Sequence, residues 1–305
     1  MKKVLITGVS GFVGSNLARR LLEKGYAVVG LDQVRERGKS RTSEGVLLYG
    51  ADIRSKDIYP LFEGVDVVFH LAAKNDIISC QEDPVETMSV NVHGTANVFE
   101  AARRAGARKV VFASSSALEE GEARLKGFYA ISKMACEKIA EGYRAAFGVN
   151  YVLPRYFNIY GPGQDYRHTH PPIMSALMIK VLKGERPILY EGYEENKRDF
   201  IYVDDINDFH LLCLESDRVN NKLFRLGTGK SVSMKDVWDA VKKVSGSDLE
   251  PIVKPRLPGD TLAVMLADTT EAEKIGWKAK TSLEDGLRAQ FEYLKGEFVK
   301  GNIKR

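Results

Sequence analysis

The sequence predicts an α/β fold, a doubly wound parallel sheet carrying a smaller, interleaved C-terminal α/β lobe. Three observations support this. Short apolar runs of strand length alternate with longer stretches of helical period through the first half. A glycine-rich turn joins the first run to the first helical stretch. After Gly161-Pro162-Gly163 the alternation loosens, yet no repeat and no low-complexity linker marks a separate second domain.

The buried-strand candidates are residues 4–7, 27–32, 46–52, 65–73 and 109–114, each a short apolar run bounded by polar or turn residues. Leu17, Ala18, Leu21 and Leu22 set a helical stripe after the first run, and residues 85–105 set a longer one. The interval between Asp52 and Val65 has room only for a short helix. A helix over residues 128–147 leads into a sixth strand candidate at 151–157. Residues 168–172 and 191–197 read as loops rich in charge and proline. Residues 199–203 and 223–226 look like strands that return to the sheet. Ser233 and Ser282 begin the later helices, each with an acid three residues on, Asp236 and Asp285, as in a capping box. The expected division is residues 1–163 plus about 198–229 as a dinucleotide-binding domain. Residues from about 164–197 plus 230–305 then form the second lobe.

Hydrophobic residues make up 44% of the 305 and charged residues 28%, enough to bury a core and keep a polar surface. A net charge of +4 is too mild to call for nucleic acid as a partner. Cys80, Cys136 and Cys213 are isolated and form no CxxC, so neither a disulfide framework nor a cysteine-built zinc site is expected. With no signal peptide and no apolar run of membrane-spanning length, the expectation is a cytoplasmic protein with no membrane partner.

Thr7-Gly8-Val9-Ser10-Gly11-Phe12-Val13-Gly14 follows the first strand and opens the first helix. Glycines at 8, 11 and 14 let the backbone turn tightly and bring N–H groups against a pyrophosphate, where the helix dipole favours negative charge. Asp32 ends the second strand, 18 residues beyond Gly14. A carboxylate there accepts from both ribose hydroxyls and repels a 2′-phosphate, so the pattern favours NAD over NADP. The nearby Arg35, Arg37, Lys39 and Arg41 read as a solvated loop.

Tyr129 and Lys133 stand four apart, on one face of the helix that follows the fifth strand. An ammonium near a phenol favours phenolate and lowers its pKa, fitting the tyrosine to take a proton while hydride leaves the same carbon. Tyr193 and Lys197 have the same spacing, but their polar segment reads as a loop and marks them as a decoy. Ser114-Ser115-Ser116 lies at the end of the fifth strand, at the carboxyl edge where open α/β sheets bind ligands. His168 and His170 form a His-x-His with no third ligand at usable spacing, and His210 is isolated, so no metal site is expected. Asn75 and Lys74 follow the fourth strand within reach of a substrate.

Taken in order, these motifs resemble the extended short-chain dehydrogenase/reductase family, a Rossmann-type fold, in its nucleotide-sugar epimerase and dehydratase branch. Thr7 to Gly14 is similar to its TGxxGxxG turn, and Tyr129 to Lys133 to its YxxxK. Ala51-Asp52-Ile53 resembles the segment at the adenine, and His70-Leu71-Ala72-Ala73 the fourth-strand motif beside the cofactor. Asn91 to Thr95 resembles the NxxGT helix. The resemblance implies cofactor contacts from Asp52, Ile53, Leu71, Ala72, Ala73, Asn91, Ser114 and Tyr156, and a catalytic set of Ser116, Tyr129 and Lys133.

Pro154 to Pro162 resembles the R-Y-F-N-x-x-G-P strand, and Arg198 to Asp205 the RDFxxVxD motif. Arg256 with Asp260 is similar to a later R-x-G-D segment, with one extra residue between them. The resemblance implies that Asn158, Arg198, Arg256 and Asp260 hold the diphosphate and ribose of a nucleotide sugar. It also implies a homodimer built on a four-helix bundle of the 85–105 and 128–147 helices.

One departure stands out. The family continues after its serine with Val-Tyr-Gly and a long loop, whereas here only 12 residues separate Ser116 from Tyr129. Dehydratases place Asp-Glu directly after that serine and decarboxylases a glutamate two residues on; here those positions hold Ala117 and Leu118. Glu119 and Glu120 follow one step too late and are expected to face solvent. Within the resemblance, the expected reaction is therefore 4-epimerisation of a UDP-type nucleotide sugar with bound NAD, ahead of dehydration, decarboxylation or ketoreduction. A non-catalytic dinucleotide sensor would have no need of an activated tyrosine.

Overall fold

The computed structural model describes residues 2–33, 44–119, 127–167, 171–256 and 264–303. Strand β1 (Lys3–Thr7) lies mid-sheet, pairing in parallel with β2 (Ala27–Asp32) on one side and β4 (Val67–His70) on the other. β3 (Leu47–Gly50) extends the sheet beyond β2, and β5 (Lys109–Phe112) and β7 (Asn150–Tyr156) extend it beyond β4. A two-residue strand β6 (Ser114–Ser115) also pairs with β7. The spatial order is β11-β7-β5-β4-β1-β2-β3, where β11 is Lys222–Leu226. The order reverses between β1 and β4, so the loops leaving those two strands open a crevice at their carboxyl ends.

Helices flank this sheet because its central strands are covered on both faces: every residue of β4 and of β5 is buried. Helix α1 (Phe12–Glu23) buries Leu17, Ala18 and Leu21. The short α2 (Ile77–Glu82) and α3 (Pro84–Met88) are each N-capped by an aspartate, Asp76 and Asp83. α4 (Gly94–Ala105) and α5 (Phe128–Phe147) both end on left-handed glycines, Gly106 and Gly148. Phe62, Val98, Phe99, Phe112 and Cys136 share one core with β1 and β2. Phe99 is fully buried there, and truncating it to alanine costs about 3–5 kcal/mol.

The stretch expected as one helix over 85–105 contains a π-turn, Ser89–His93, between α3 and α4. The wider turn rotates Asn91 inward, and such turns occur at functional sites. The short helix expected between Asp52 and Val65 is a 3-10 helix, Lys56–Phe62.

The chain divides into two compact units. The first comprises Met1–Tyr156, Asn207–Arg225 and Lys274–Trp277, and the second Phe157–Ile206, Leu226–Glu273 and Lys278–Arg305. The expected boundary at 163 therefore falls earlier. The reason is pairing: β8 (Asn158–Tyr160) leaves the large sheet and joins β10 (Lys197–Tyr202). β10 pairs in turn with β12 (Ser231–Ser233), so the strand expected at 199–203 does not return to the large sheet, whereas β11 does.

In the second unit, α6 (Ile173–Leu182), α8 (Met234–Ser245) and α10 (Leu283–Val299) pack around Leu177, Met178, Val237, Trp238, Leu287 and Phe291. β9 (Ile188–Tyr190) pairs with β13 (Ile252–Lys254), and α9 is the short Thr270–Lys274. Helix α7 (Val203–Glu215) links the two units in sequence. Ser233 and Ser282 cap α8 and α10, and Ser233 with Asp236 forms the full reciprocal box. Among the described residues no helix is long and apolar enough to cross a membrane.

Candidate active site

The turn after β1 is shaped by how closely backbone meets backbone. Gly8 has φ +73°, and a Cβ there would stand 2.8 Å from the Ala72 nitrogen. At Gly14 a Cβ would stand 2.2 Å from the Gly8 carbonyl oxygen. Larger residues at either position would force the turn off β4 or lift α1 off the turn. No side chain caps the start of α1 and its first turn carries no acid, so its N–H groups and dipole suit an anion. At the end of β2, Asp32 Oδ2 accepts a hydrogen bond of 2.9 Å from the Ser10 amide, which fixes the carboxylate beside the turn.

A cavity of about 590 Å³ lies here. Gly8, Gly11, Phe12, Val13 and Gly14 line it from the turn, and Asp32 and Ile53 from the β2 and β3 ends. Leu71, Ala72, Ala73, Lys74 and Asn75 line it from the segment after β4. The volume, the glycine turn at a helix start and the Asp32 carboxylate at the end of β2 fit a dinucleotide. Asp32 would hold the ribose, the turn the pyrophosphate, and Ile53 the base. The basic cluster at 35–41 lies outside the described residues.

Two residues expected to touch the cofactor are also held by protein partners. Asp52 does not line the cavity: Arg54 binds both its oxygens, at 3.0 Å to Oδ1 and 2.6 Å to Oδ2. The Arg54 hydrogen bond holds the Asp52 carboxyl below its usual range, against the opposing effect of burial. Asn91 is 2% exposed. Its Nδ2 donates to the Lys74 carbonyl and to Ser132 Oγ, both at 2.9 Å, and its Oδ1 accepts from the Lys74 amide at 2.8 Å. It therefore braces the cavity wall rather than entering the cavity.

Tyr129 and Lys133 sit in the first two turns of α5, the lysine buried and the tyrosine half-buried. Lys133 Nζ donates to the Ala113 carbonyl at 2.7 Å and lies 5.9 Å from the Tyr129 ring. Burial pushes the lysine pKa down. Burial also raises the Tyr129 pKa, and a hydrogen bond with Ser115 opposes that rise. The expected net lowering by the ammonium is thus reversed, because Lys133 is turned to a carbonyl and the phenol is desolvated.

The three serines at the end of the fifth strand have different partners. Ser114 donates to Glu137 Oε1 at 2.5 Å, and Ser116 is 7% exposed at the start of a 3-10 turn, Ser116–Leu118. Ser115 Oγ accepts the Ala117 amide at 3.1 Å.

Glu137 escaped the sequence reading. The signal was present: Tyr129, Lys133 and Glu137 follow one another at four-residue spacing on one helix face. Glu137 takes two hydrogen bonds from Arg155, at 2.9 and 2.7 Å. Arg155 reaches Glu119 with its remaining arm at 2.5 Å, and Arg225 binds the same Glu119 oxygen at 2.8 Å. Glu119 is exposed, as expected, and its carboxylate is paired there with the two arginines. Burial alone would raise its pKa, but the two guanidinium groups outweigh this and hold it low. Glu120 lies outside the described residues.

Tyr156 is half-buried and shares a 2.7 Å hydrogen bond with His210 Nε2. In the second unit, Asp199 accepts from Thr228 N and Oγ1 and from the amides of Gly229 and Ala267, at 2.7–3.1 Å. That clamp pins the strand carrying Arg198. Asn158 Nδ2 donates to the Asp199 carbonyl at 2.8 Å, leaving its oxygen side free of that bond. Arg256 is exposed, with Nε 3.5 Å from the Glu191 carbonyl. Asp260, His168 and His170 lie outside the described residues. Tyr193 is on a turn and Lys197 begins β10, so they share no helix face. Among the described residues no group of His, Cys, Asp and Glu is arranged to hold a metal.

The model of the NAD dependent epimerase/dehydratase family matches residues 4–227. A UDP-glucose 4-epimerase of Streptomyces lividans is 31% identical over 298 residues, covering 90% of this chain and 91% of its own. Among solved structures, the Thermotoga maritima UDP-glucose 4-epimerase with UDP-glucose superposes with a TM-score of 0.89 at 28% identity, covering 97% of this chain and 99% of its own. The Thermus thermophilus UDP-glucose 4-epimerase complex with NAD gives 0.83 at 31% identity, covering 96% and 99%. With most of its length matched by the family model and its cavity fitting the family's cofactor, this chain belongs to the NAD dependent epimerase/dehydratase family.

Proposed function

We propose that this chain is an NAD-dependent 4-epimerase of UDP-sugars. The observation that carries the reading is the half-buried Tyr129 phenol with Lys133 one helical turn away on α5, in the unit that holds the dinucleotide-shaped cavity. Bound NAD supplies a hydride acceptor at the sugar carbon and then returns the hydride.

The chain's own residues do the rest. Tyr129 takes the proton from the C4 hydroxyl and later gives it back. Ser115 donates to the reacting oxygen or to the phenolate, and Lys133 keeps a positive charge near both. Arg198 and Arg256 neutralise the diphosphate and Asn158 orients it, so that the 4-keto sugar turns over without leaving. Asp260 belongs to the same segment as Arg256 and is assigned to the ribose.

Elimination or decarboxylation needs a further acid beside the serine. Ala117 and Leu118 provide none, and Glu119 is held ionised between Arg155 and Arg225. We also infer a homodimer through α4 and α5, where Met134 and Phe147 leave apolar side chains 43% and 59% exposed. A cytoplasmic setting is supported by three cysteines that are all free.

The test is isotopic. Substrate deuterated at C4 should give inverted product with the label still at C4, in ordinary water and without added cofactor. Loss of the label to solvent, a change in mass, or a requirement for added NADPH would reject the mechanism.

A further inference from the structure

Two carboxylates line the dinucleotide cavity, and the sequence motifs point to only one of them. Asp32 lies at the end of β2, whereas Glu86 lines the cavity from α3, together with Val90 from the π-turn. Ala51 and Ile53, just past β3, line the same cavity.

Glu86 is tied to the Ile53 end of the cavity by the next residue along, Arg54. One arm of that guanidinium, Nη1, donates to Glu86 Oε2 at 2.8 Å and to Ser89 Oγ at 3.0 Å. The Glu86 amide donates to Asp83 Oδ1 at 3.0 Å, so the residue is held at its backbone as well. Its other carboxylate oxygen, Oε1, makes no hydrogen bond among the described residues.

Asp52 is placed differently. Its Oδ1 accepts from the Arg54 amide and Nε, at 2.8 and 3.0 Å. Its Oδ2 accepts from Arg54 Nε and Nη2, at 3.0 and 2.6 Å. Arg54 therefore engages both oxygens of Asp52 and one of Glu86, and of these two acids only Glu86 lines the cavity.

The adenine of NAD carries an exocyclic 6-amino group, a donor that a carboxylate oxygen accepts and a carbonyl in its place does not satisfy. We propose that Glu86 recognises this amino group through Oε1, while Arg54 holds Oε2 and Asp52 keeps the guanidinium in place. Gln33 also lines the cavity, but an amide can turn either its oxygen or its nitrogen to a base and so does not discriminate. The assignment deepens the proposed function on its cofactor side. It rests on NAD as the bound dinucleotide and on nothing about the sugar.

The experiment is calorimetric titration of the full chain, freed of bound cofactor, with NAD and with nicotinamide hypoxanthine dinucleotide. In the second ligand a carbonyl replaces the amino group and the ring N1 gains a hydrogen. The change at N1 is common to every variant, so a change in the affinity ratio between parent and variant reports on the residue replaced. The parent should bind NAD about tenfold more tightly, the low end for a hydrogen bond to a charged group, because the Glu86 side chain is 43% exposed.

In Glu86→Gln the amide oxygen stays with Arg54, which can only donate, and the amide N–H groups take the place of Oε1. The ratio should then fall by about tenfold or more, to parity or below, since an amide donates to the hypoxanthine carbonyl. Glu86→Ala should lose affinity for NAD and keep that for the hypoxanthine ligand. Asp52→Asn loosens Arg54 and should weaken both ligands together, leaving the ratio near the parent's.

A parent-like ratio in Glu86→Gln and Glu86→Ala, or a ratio that collapses in Asp52→Asn alone, would overturn the proposal while leaving NAD as the cofactor. A parent that binds neither dinucleotide would instead overturn the cofactor reading on which the proposal rests.

Discussion

Replacing Asn91 by alanine separates two roles that a cofactor-site motif can play. The side chain makes three hydrogen bonds, two of them to the Lys74 peptide and one to Ser132. Alanine leaves the Lys74 N–H and C=O without these partners. Both groups are partly buried, so each loss belongs at the lower end of the range for an unsatisfied polar group, about 1–2 kcal/mol. The sum, about 2–4 kcal/mol, lowers the melting temperature of a unit of this size by about 5–10 °C. Ala72, Ala73, Lys74 and Asn75 all line the cavity, so releasing this segment should weaken NAD as well. Thermal unfolding without cofactor and calorimetric titration with NAD measure the two effects on the same sample. A variant that keeps its stability yet loses NAD would refute the bracing argument and place Asn91 in direct contact with the cofactor.

Other outcomes follow from the same geometry. Tyr129→Phe should lower turnover by roughly 10²-fold or more while Tyr193→Phe leaves it nearly unchanged, and steady-state kinetics on both variants would expose a misassigned base if the losses were equal. With Asp32 held beside the turn by Ser10, NAD should bind more tightly than NADP, and Asp32→Ala should narrow the gap; tighter NADP binding by the parent would remove the assignment. His70 and His210 are both held down to about pKa 3, by burial and, for His70, also by the Lys133 charge. Since an unfolded histidine titrates near 6.5, the unfolded chain takes up protons that the folded one refuses. Stability should therefore fall as pH drops from about 6.5 toward 3, by up to about 1.4 kcal/mol per pH unit for each histidine. Denaturant midpoints that stay level between pH 7 and pH 5 would contradict it.

Much of the large sheet was legible because burial on both faces writes continuous apolar runs, as in Val67–His70 and Lys109–Phe112. Helix α5 was legible at both ends, since Gly148 stops it in the left-handed conformation and a helical stripe fills its length. What local pattern does not carry is the identity of a distant partner. Residues 199–203 look like any other strand, and only the pairing of Phe200 with Asn158 and of Arg198 with Val232 assigns them to a separate sheet. The π-turn around Asn91 is equally silent, because its neighbours keep helical composition. Three consecutive serines carry no local sign that the first is taken by Glu137 and the third opens a turn.

The motifs that look like independent fingerprints in the sequence are physically one object. Thr7 from the glycine turn shares a 2.7 Å hydrogen bond with His70 Nδ1, and His70 Nε2 shares one of 2.9 Å with Thr95, from the NxxGT stretch. Thr7 Oγ1 also accepts the Ala72 amide at 3.2 Å. A neutral imidazole, accepting at one nitrogen and donating at the other, satisfies this chain, and the depressed pKa of His70 keeps it neutral at physiological pH. Asn91 then ties the same helix to Lys74 and to Ser132, one residue before Lys133. Spacing along the chain cannot show that these groups are one another's partners, because each bond spans 17 to 63 residues. The consequence is that several residues expected to grip the cofactor act on it at one remove. They set the positions of the turn, the β4 end and α5 relative to one another, while Asp32, held by the Ser10 amide, lines the cavity directly.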